Sequence, residues 1–308
     1  MRVSYGSALE LGLIRGRADA RTTTLYLFVS KDGCRGSCAF CPQPYGGSSR
    51  ISRVEWPKFS IEEVARGLSG AAVMKRVCIQ CSDEDGISSQ VEGIVKILSP
   101  AGLPFSVSAP PMTVEDMGRL KDSGVEILTI PLDCADRKRY KTVKGRELEE
   151  IISSLKSAVE VFGRGRVGTH IIVGLGESER EAVEMIEAVY RMGVTPSLFA
   201  FTPIRGTRLE GVPSPSIGAY RRVQIARHLI VEEGFKASGL EFSPDGKITG
   251  FGCPTETLRR VFEMGDPFMV RGCPSCNRPY FNEKASGPFY NYPFKPDPRR
   301  VAEESWSD

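Results

Sequence analysis

The sequence predicts an α/β protein built from six βα units whose parallel sheet is closed, or partly closed, into a barrel. Helix signals and short apolar runs alternate along residues 24–240. The apolar runs are continuous, as expected for strands buried on both faces, and glycine stands just past the helices, where helices commonly end. Serial βα units form parallel sheets. An open doubly wound sheet has the same periodicity and is the alternative.

Each of the six units has its own start and stop signals. Apolar runs predict strands at 24–30, 75–80, 104–108, 125–132, 166–173 and 195–201. Helices are predicted at about 60–68, 88–98, 113–123, 146–162, 178–192 and 216–233. In the first, third and fifth helices, Ser or Thr is followed three residues later by an acid, a pattern that opens helices.

The chain divides into three regions. Residues 1–23 are polar and rich in Arg, with a short amphipathic piece at about 8–14, and are expected to form a helix or arm outside the barrel. Residues 24–240 form the barrel core. Residues 241–308 have no repeating period, but they contain signals for a hairpin, a short helix at 255–264 and an aromatic run at 287–294. Because those aromatic rings need burial, we expect this irregular tail to lie over the barrel mouth.

The composition excludes several classes of function. The 308 residues are 41% hydrophobic and 26% charged, which is typical of a soluble globular enzyme. The net charge of +3 is too small to indicate a nucleic-acid surface. No run approaches the roughly 18 apolar residues of a membrane span, and the N-terminus lacks the apolar segment of a signal peptide. We therefore expect a cytoplasmic protein whose nine cysteines are reduced and available to metal.

Three cysteines follow the first predicted strand at the spacing C-x3-C-x2-C, namely Cys34, Cys38 and Cys41. Three thiolates on one loop can hold three irons of a 4Fe–4S cluster, and the fourth iron is then open to a chelating cofactor. The alternative is zinc, which prefers four ligands and fits three cysteines without a nearby histidine poorly. The turn-rich residues 42–49 are expected to wrap the cluster.

With the aromatic Phe40 just before Cys41, this motif resembles the signature of the radical S-adenosylmethionine (SAM) superfamily. The resemblance implies a partial (β/α)6 barrel, and it favours the barrel over the open sheet. It also implies that SAM chelates the open iron and is cleaved by an electron from the cluster to give a 5′-deoxyadenosyl radical. An electron donor such as ferredoxin or flavodoxin is the implied partner.

The resemblance also implies which residues hold SAM at the C-terminal ends of the strands. After strand two, Ser82 or Asp83 is a candidate contact for the SAM amino group, although a solvated acidic loop is the alternative. After strand four, Asp133 resembles the aspartate with which biotin synthase holds the ribose hydroxyls. Pro131 replaces the asparagine of that enzyme and lacks its side-chain hydrogen bond.

Two later strand ends carry further resemblances. Ile172 and Gly174 lie in a Gly-rich segment after strand five that resembles the Gly-x-Ile-x-Gly motif, which packs on adenine. Glycine there lets the backbone approach a flat ring. Pro203 begins a loop after strand six that resembles the corresponding loop of biotin and lipoyl synthases.

Six further cysteines suggest a second, auxiliary iron–sulfur cluster, with a structural zinc site or inert thiols as alternatives. Cys273 and Cys276 have ligand spacing, and Cys253 is the expected third ligand because it also lies in the tail. The weaker candidates are Cys78, Cys81 and Cys134. Cys78 resembles in place a second-cluster ligand of biotin synthase, whereas Gly168 stands where that enzyme has a cluster cysteine.

The chain resembles the biotin synthase group over residues 25–240, and its tail resembles the two-component lipoyl synthases. This implies sulfur insertion into an octanoyl chain on a lipoyl-carrier protein or peptide, with a second radical SAM subunit as partner. Biotin synthase-like chemistry on dethiobiotin and a mutase of the methylornithine synthase kind are the alternative reactions. A zinc-bearing scaffold subunit is the alternative outside enzymology.

Overall fold

The computed structural model describes residues 1–30, 33–45, 50–51, 54–284 and 286–307. The strands are β1 (Arg2–Val3), β2 (Thr24–Val29), β3 (Arg50–Ile51), β4 (Val54–Glu55), β5 (Arg76–Cys81), β6 (Phe105–Ser108), β7 (Val125–Thr129), β8 (Val167–Val173), β9 (Val194–Ala200), β10 (Glu241–Phe242) and β11 (Ile248–Gly250). The helices are α1 (Tyr5–Glu10), α2 (Ile61–Gly70), α3 (Ile87–Leu98), α4 (Val114–Asp122), α5 (Tyr140–Lys144), α6 (Leu148–Phe162), α7 (Glu179–Arg191), α8 (Ile217–Val231), α9 (Thr255–Met264) and α10 (Pro298–Ser305).

One sheet of seven strands forms the core, in the order β1-β2-β5-β6-β7-β8-β9. The six strands from β2 to β9 run parallel to their neighbours, and β1 pairs antiparallel with β2. Within the described part of the chain, β9 has no strand partner on its far side, so the barrel stays open there. The predicted α/β fold with six parallel βα units is confirmed.

The predicted helix starts are present as hydrogen bonds. α2 and α7 begin with complete capping boxes, Ser60 with Glu63 and Ser178 with Glu181. The Thr113 hydroxyl accepts the N–H of Asp116 at the start of α4. These bonds satisfy donors that a helix N-terminus otherwise leaves unpaired, which is why the pattern could be read from the sequence. No described helix is long and apolar enough to span a membrane.

Several elements were not predicted. Residues 1–23 add the unpredicted strand β1 to the edge of β2, where the Ser4 N–H donates to the Tyr26 carbonyl at 3.0 Å. The short helix considered for this region is present as α1, but it begins three residues before the expected amphipathic piece. The short helices α5 and α10 were missed, and β7 ends at Thr129, three residues earlier than expected. Of the turn-rich residues expected to wrap a cluster, residues 46–49 lie outside the described part of the chain.

The tail lies along the open side of the barrel. Near the start of β2, Thr24 Oγ1 donates to the Ser275 carbonyl at 2.8 Å. Beyond the end of β9, Thr202 Oγ1 donates to the Asn282 carbonyl at 3.4 Å. Residues 275–282 therefore run between the first and last parallel strands, from the N-terminal end of the barrel to its mouth. The sequence suggested that the tail lies over the barrel mouth. Within this segment only the residues near Asn282 reach the mouth, and those near Ser275 lie deeper, towards the N-terminal end of the barrel.

Buried arginines on α8 attach the rest of the tail. Arg221 is fully buried, and its guanidinium donates to the Tyr290 carbonyl at 2.5 Å and to the Phe289 carbonyl. It also pairs with Glu304 on α10 at 2.8 Å. Because the tail covers the outer side of α8, this helix is buried on all sides, and its arginines must be paired within the protein.

We expect Arg221→Met to lower the free energy of unfolding by about 3–5 kcal/mol, because Glu304 and two carbonyl groups would lose their buried donor. Denaturant unfolding measures the change, and limited proteolysis locates it in the tail. The matched control is Arg259→Met on α9, which breaks an ion pair between two exposed side chains. It should lower the free energy of unfolding by at most about 1 kcal/mol. Equal stability of the two variants would contradict the assigned role of Arg221.

Candidate active site

One cavity of about 300 Å³ lies inside the barrel and is lined by side chains from all six parallel strands. Side chains alternate along a strand, so every second residue points inward. The cavity is open at the C-terminal ends of the strands, where Cys34, Cys38 and Cys41 line it. Cys78, Cys273 and Cys276 also line it. Two groups of thiols thus share one cavity.

The cluster loop, residues 33–41, is held by backbone hydrogen bonds. Cys34 Sγ accepts the N–H groups of Gly36 at 3.4 Å and of Asp83 at 3.5 Å. Burial raises the pKa of Cys41 to about 12 and also raises the pKa of Cys38. Buried thiolates need nearby positive charge, which bound iron supplies. Among the described residues, no three Cys, His, Asp or Glu side chains converge as the ligands of a single ion do.

The loop after β5 is hydrogen-bonded to the cluster loop. It contains Ser82 and Asp83, the two residues predicted to contact the amino group of SAM. The Ser82 hydroxyl donates to the Val29 carbonyl at 3.1 Å and contacts Glu84, so it is engaged within the fold. The Asp83 carboxylate lines the cavity and pairs with Arg146. The structure thus places opposite charges side by side at the mouth, next to the cluster loop.

Asp133 is held at the cavity wall in an unusual backbone conformation. Its φ of 66° lies in the left-handed region, which residues other than glycine rarely adopt. Its N–H donates to the His170 carbonyl at 2.8 Å, and its carbonyl accepts the Ile172 N–H at 2.7 Å. The carboxylate pairs with buried Lys144, whose pKa burial would lower but Asp133 raises. Backbone strain of this kind occurs preferentially at functional sites.

The Gly-rich segment after β8 is shaped by Glu177, which the sequence analysis did not single out. Its carboxylate accepts the N–H groups of Gly174 at 2.6 Å and of Leu175 at 3.0 Å. Gly174 has a φ of 103°, and a Cβ there would lie 2.8 Å from the Pro215 ring. Gly174 lines a neighbouring cavity of about 370 Å³, whereas Ile172 lines the central one.

The two remaining predicted SAM contacts lie in different settings. Phe40, within the cluster loop, lines the central cavity. Pro203 is exposed and does not line the cavity, although its neighbours Thr202 and Ile204 do. The backbone of this loop therefore reaches the mouth while the proline ring faces away from it.

Deeper in the barrel, two thiols of the tail lie near Cys78 on β5. Tyr26, Cys78 and Ser106 are register partners on β2, β5 and β6, and all three line the cavity. Cys276 Sγ lies 3.4 Å from the Tyr26 hydroxyl. Cys273 hydrogen-bonds Ser106, and both tail thiols, like Arg278 nearby, act on the pKa of Cys78, which burial raises. Cys273 and Cys276 therefore flank Cys78.

The other candidate cysteines do not join this group. Cys253 lies between β11 and α9 and does not line the central cavity, so the expected third tail ligand is apart from Cys273 and Cys276. Cys81 lines the cavity at the end of β5. Cys134 is buried in the core, where its thiol donates to the Asp136 carbonyl at 3.7 Å.

Arg278 is a further site residue that the sequence analysis missed. It is 6% exposed, its φ is 25°, and its guanidinium lies 3.7 Å from the centre of the Phe199 ring. Its Nε and Nη2 groups have no hydrogen-bond partner among the described residues. Burial, together with Arg278, lowers the pKa of neighbouring His170 to about 3, so that this ring is neutral. A buried guanidinium with free N–H groups in a cavity indicates a missing acceptor.

Glu177 generates a pH prediction. Burial raises its pKa from 4.5 to about 7, against the effect of the backbone N–H groups. Between these values the folded protein binds more protons than the unfolded chain, so the free energy of unfolding should fall as the pH rises. We expect a decrease of roughly 1–3 kcal/mol between pH 5 and pH 7.5 from this group, measured by denaturant unfolding.

Glu177→Gln should remove this part of the pH dependence because the amide does not titrate. The exposed Glu62→Gln on α2 is the matched control and should leave the profile unchanged. If the free energy of unfolding of Glu177→Gln falls with pH as steeply as that of the original protein, other groups cause the pH dependence.

Comparison with known proteins identifies sequence relatives. The sequence profile of the radical SAM superfamily matches residues 28–189, slightly more than half of the chain. A biotin synthase of Prochlorococcus marinus (strain MIT 9301) is 25% identical over 267 residues, which cover 80% of this chain and 75% of that protein.

Solved structures share the fold. Methylornithine synthase superimposes with a TM-score of 0.50 at 18% identity, covering 67% of this chain and 64% of that protein. HydG, a maturase of the [FeFe]-hydrogenase, superimposes with a TM-score of 0.52 at 19% identity, covering 68% and 50%. This chain therefore spans less than two thirds of either neighbour, and the likeness concerns the barrel.

Proposed function

Because the chain belongs to the radical SAM superfamily, we propose that it is a sulfur-inserting enzyme, a component of a two-subunit lipoyl synthase. Its substrate would be an octanoyl chain attached to a lysine of a carrier protein. A 4Fe–4S cluster and SAM are the cofactors that the superfamily implies. The second subunit, the carrier and an auxiliary cluster are parts of the proposal.

Cys34, Cys38 and Cys41 would hold the first cluster at the mouth of the barrel. These three residues line the cavity, and the loop that carries them is bonded to neighbouring loops. This cluster with SAM would supply the radical that removes a hydrogen atom from the substrate, and the auxiliary cluster would supply the sulfur that replaces it.

Charged residues of the chain suit the two ends of SAM. The paired Asp83 and Arg146 offer an acceptor and a donor for the amino and carboxylate groups of the methionine part. Asp133 offers acceptor oxygens to the ribose hydroxyls from a position fixed by its strained backbone. Ile172, beside it on β8, gives an apolar surface for the adenine ring.

The observation that carries the proposal is the group of Cys78, Cys273 and Cys276 in the same cavity as the cluster loop. Three thiolates can hold an iron–sulfur cluster, and the free Nε–H and Nη2–H groups of Arg278 can donate to its sulfides. A sulfur source in that place would lie next to a substrate bound in the cavity, where proximity lowers the barrier to carbon–sulfur bond formation.

The cavity walls support an alkyl substrate. Phe28, Phe199 and Phe281 line it, together with Ile172. Burial of a saturated chain against these side chains is favourable at roughly 0.8 kcal/mol for each CH₂ group. The same walls exclude water, which a radical intermediate requires.

A biotin synthase-like reaction on dethiobiotin is the second candidate, favoured by the sequence relatives. Gly168 on β8 argues against this reaction, because it stands where biotin synthase has a cysteine that binds its second cluster. A Cβ at Gly168 would lie 2.8 Å from Thr129 Oγ1, so this wall is already filled. The auxiliary ligands would instead come from β5 and the tail. Incubating the anaerobically purified protein with octanoyl-lysine peptide and with dethiobiotin distinguishes the two reactions.

Replacing Cys273 and Cys276 with Ala should lower the iron content to about that of one 4Fe–4S cluster. SAM cleavage should continue at least in part, while thiolation of octanoyl-lysine peptide is lost. Cys78→Ala should act in the same way, whereas the matched control Cys253→Ala should retain both iron and thiolation. Thiolation that survives in the double variant, even slowly, would mean that the sulfur has another source.

Asp133→Asn should weaken SAM binding by about 1.5–3 kcal/mol, roughly 10- to 150-fold, because the charged acceptor of the ribose hydroxyls is lost. Asn tolerates the left-handed backbone, but Lys144 would lose its buried carboxylate partner, so denaturant unfolding should first show that the variant is folded under the conditions of the SAM measurement. Equilibrium dialysis measures the affinity, iron content should stay unchanged, and the exposed Asp122→Asn on α4 is the control. Unaltered SAM affinity would reassign Asp133 to a structural role.

A further inference from the structure

One side of the barrel mouth is strongly basic. Residues 133–146, which join β7 to α6, contain six basic and two acidic residues, while the whole chain has a net charge of only +3. Arg137, Lys138 and Lys141 of this segment are exposed. Arg205, on the loop after β9, is also exposed. This segment beside the mouth therefore carries a local excess of four positive charges, six basic less two acidic residues.

This basic segment is bonded directly to the cluster loop. The Ala39 N–H donates to the Val143 carbonyl at 2.8 Å. Arg208 Nη2 donates to the Ser37 carbonyl at 2.6 Å and to the Thr142 carbonyl at 3.2 Å, and so links the loop after β9 to both. The outer surface next to the cluster loop is thus formed by α5 and the loop after β9, and Arg137 and Lys138 directly precede α5 in the chain.

Three of the six exposed basic side chains in this area have no partner among the described residues, whereas Arg139, Lys141 and Arg208 are paired or hydrogen-bonded. The side chains of Arg137, Lys138 and Arg205 make no ion pair or hydrogen bond with any residue that the structure describes. Lys141 pairs with Glu147, but both side chains are more than half exposed, so that contact is weak. A run of exposed charges alone would indicate only a solvated surface. The hydrogen bonds to the cluster loop indicate in addition that this surface adjoins the residues that would hold the cluster.

We propose that Arg137, Lys138, Lys141 and Arg205 form a docking face for an acidic one-electron donor protein of the flavodoxin or ferredoxin class. This inference shares with the proposed function only the need for a reducible cluster at Cys34, Cys38 and Cys41. One electron would pass from the reduced cofactor of the donor to that cluster, with no atom transferred and no bond formed between the proteins. A donor on this outer face would leave the mouth free for SAM and substrate.

Charge complementarity is the physical basis of the recognition. A basic face attracts an acidic partner over about one Debye length and raises the association rate, and salt weakens the attraction. Transient electron-transfer contacts are small, so a few exposed charges can dominate them.

The test compares Arg137→Glu/Lys138→Glu with a matched double reversal on the outer helices, Arg66→Glu/Lys96→Glu, in the anaerobically reconstituted protein. The first measurement is the Kd of oxidised flavodoxin at low and high salt. We expect the first variant to bind at least about tenfold more weakly at low salt, with a smaller salt dependence, and the control to bind as the original protein does. An unchanged Kd, or an equal loss in the control, would overturn the proposal.

The second measurement is 5′-deoxyadenosine formation without a substrate for thiolation, so that a failure of the proposed sulfur insertion does not affect it. With reduced flavodoxin the first variant should be slower by a similar factor, and with dithionite it should equal the original protein. If flavodoxin affinity is unchanged but the KM for an octanoylated carrier rises, the face binds the carrier and the proposal is wrong.

Discussion

The open side of the barrel, between β2 and β9, is the constraint on which the rest of the structure depends. Six parallel strands do not close the sheet, and unpaired strand edges need cover. β1 pairs with β2, and the tail from Ser275 to Asn282 runs between the two ends of the sheet. Because this segment passes between the strands rather than over the helices, it brings Cys276 and Arg278 into the interior. The element that covers the barrel also completes its second group of thiols.

Much of the fold could be predicted because its determinants are local. The capping pairs at Ser60 and Ser178 and the apolar strands are signals within a few residues, and the structure contains the corresponding elements. The cluster motif is equally local. The short helix α5 carries no side-chain cap, which explains why it was missed.

The second group of thiols could not be predicted in the same way because it depends on register across strands. Proximity in sequence suggested Cys253 as the third member, whereas the row that contains Tyr26 and Ser106 selects Cys78. Arg278 follows Cys276 by two residues, but only its buried, unpartnered guanidinium marks it as a site residue. Pairing of distant segments decides these positions, and no short pattern in the sequence encodes it.

The segment from Asp133 to Arg146 connects the inside of the barrel to its outer surface. Asp133 and Lys144 are buried as a pair at the cavity, while Arg137 and Lys138, between them in sequence, face solvent. The backbone of this segment is bonded to the cluster loop. The same short segment therefore positions both the residues that would hold SAM and those that would bind an electron donor. A change in the backbone of this loop would therefore alter both steps together, whereas a change confined to the side chains of Arg137 and Lys138 on its outer face would separate them.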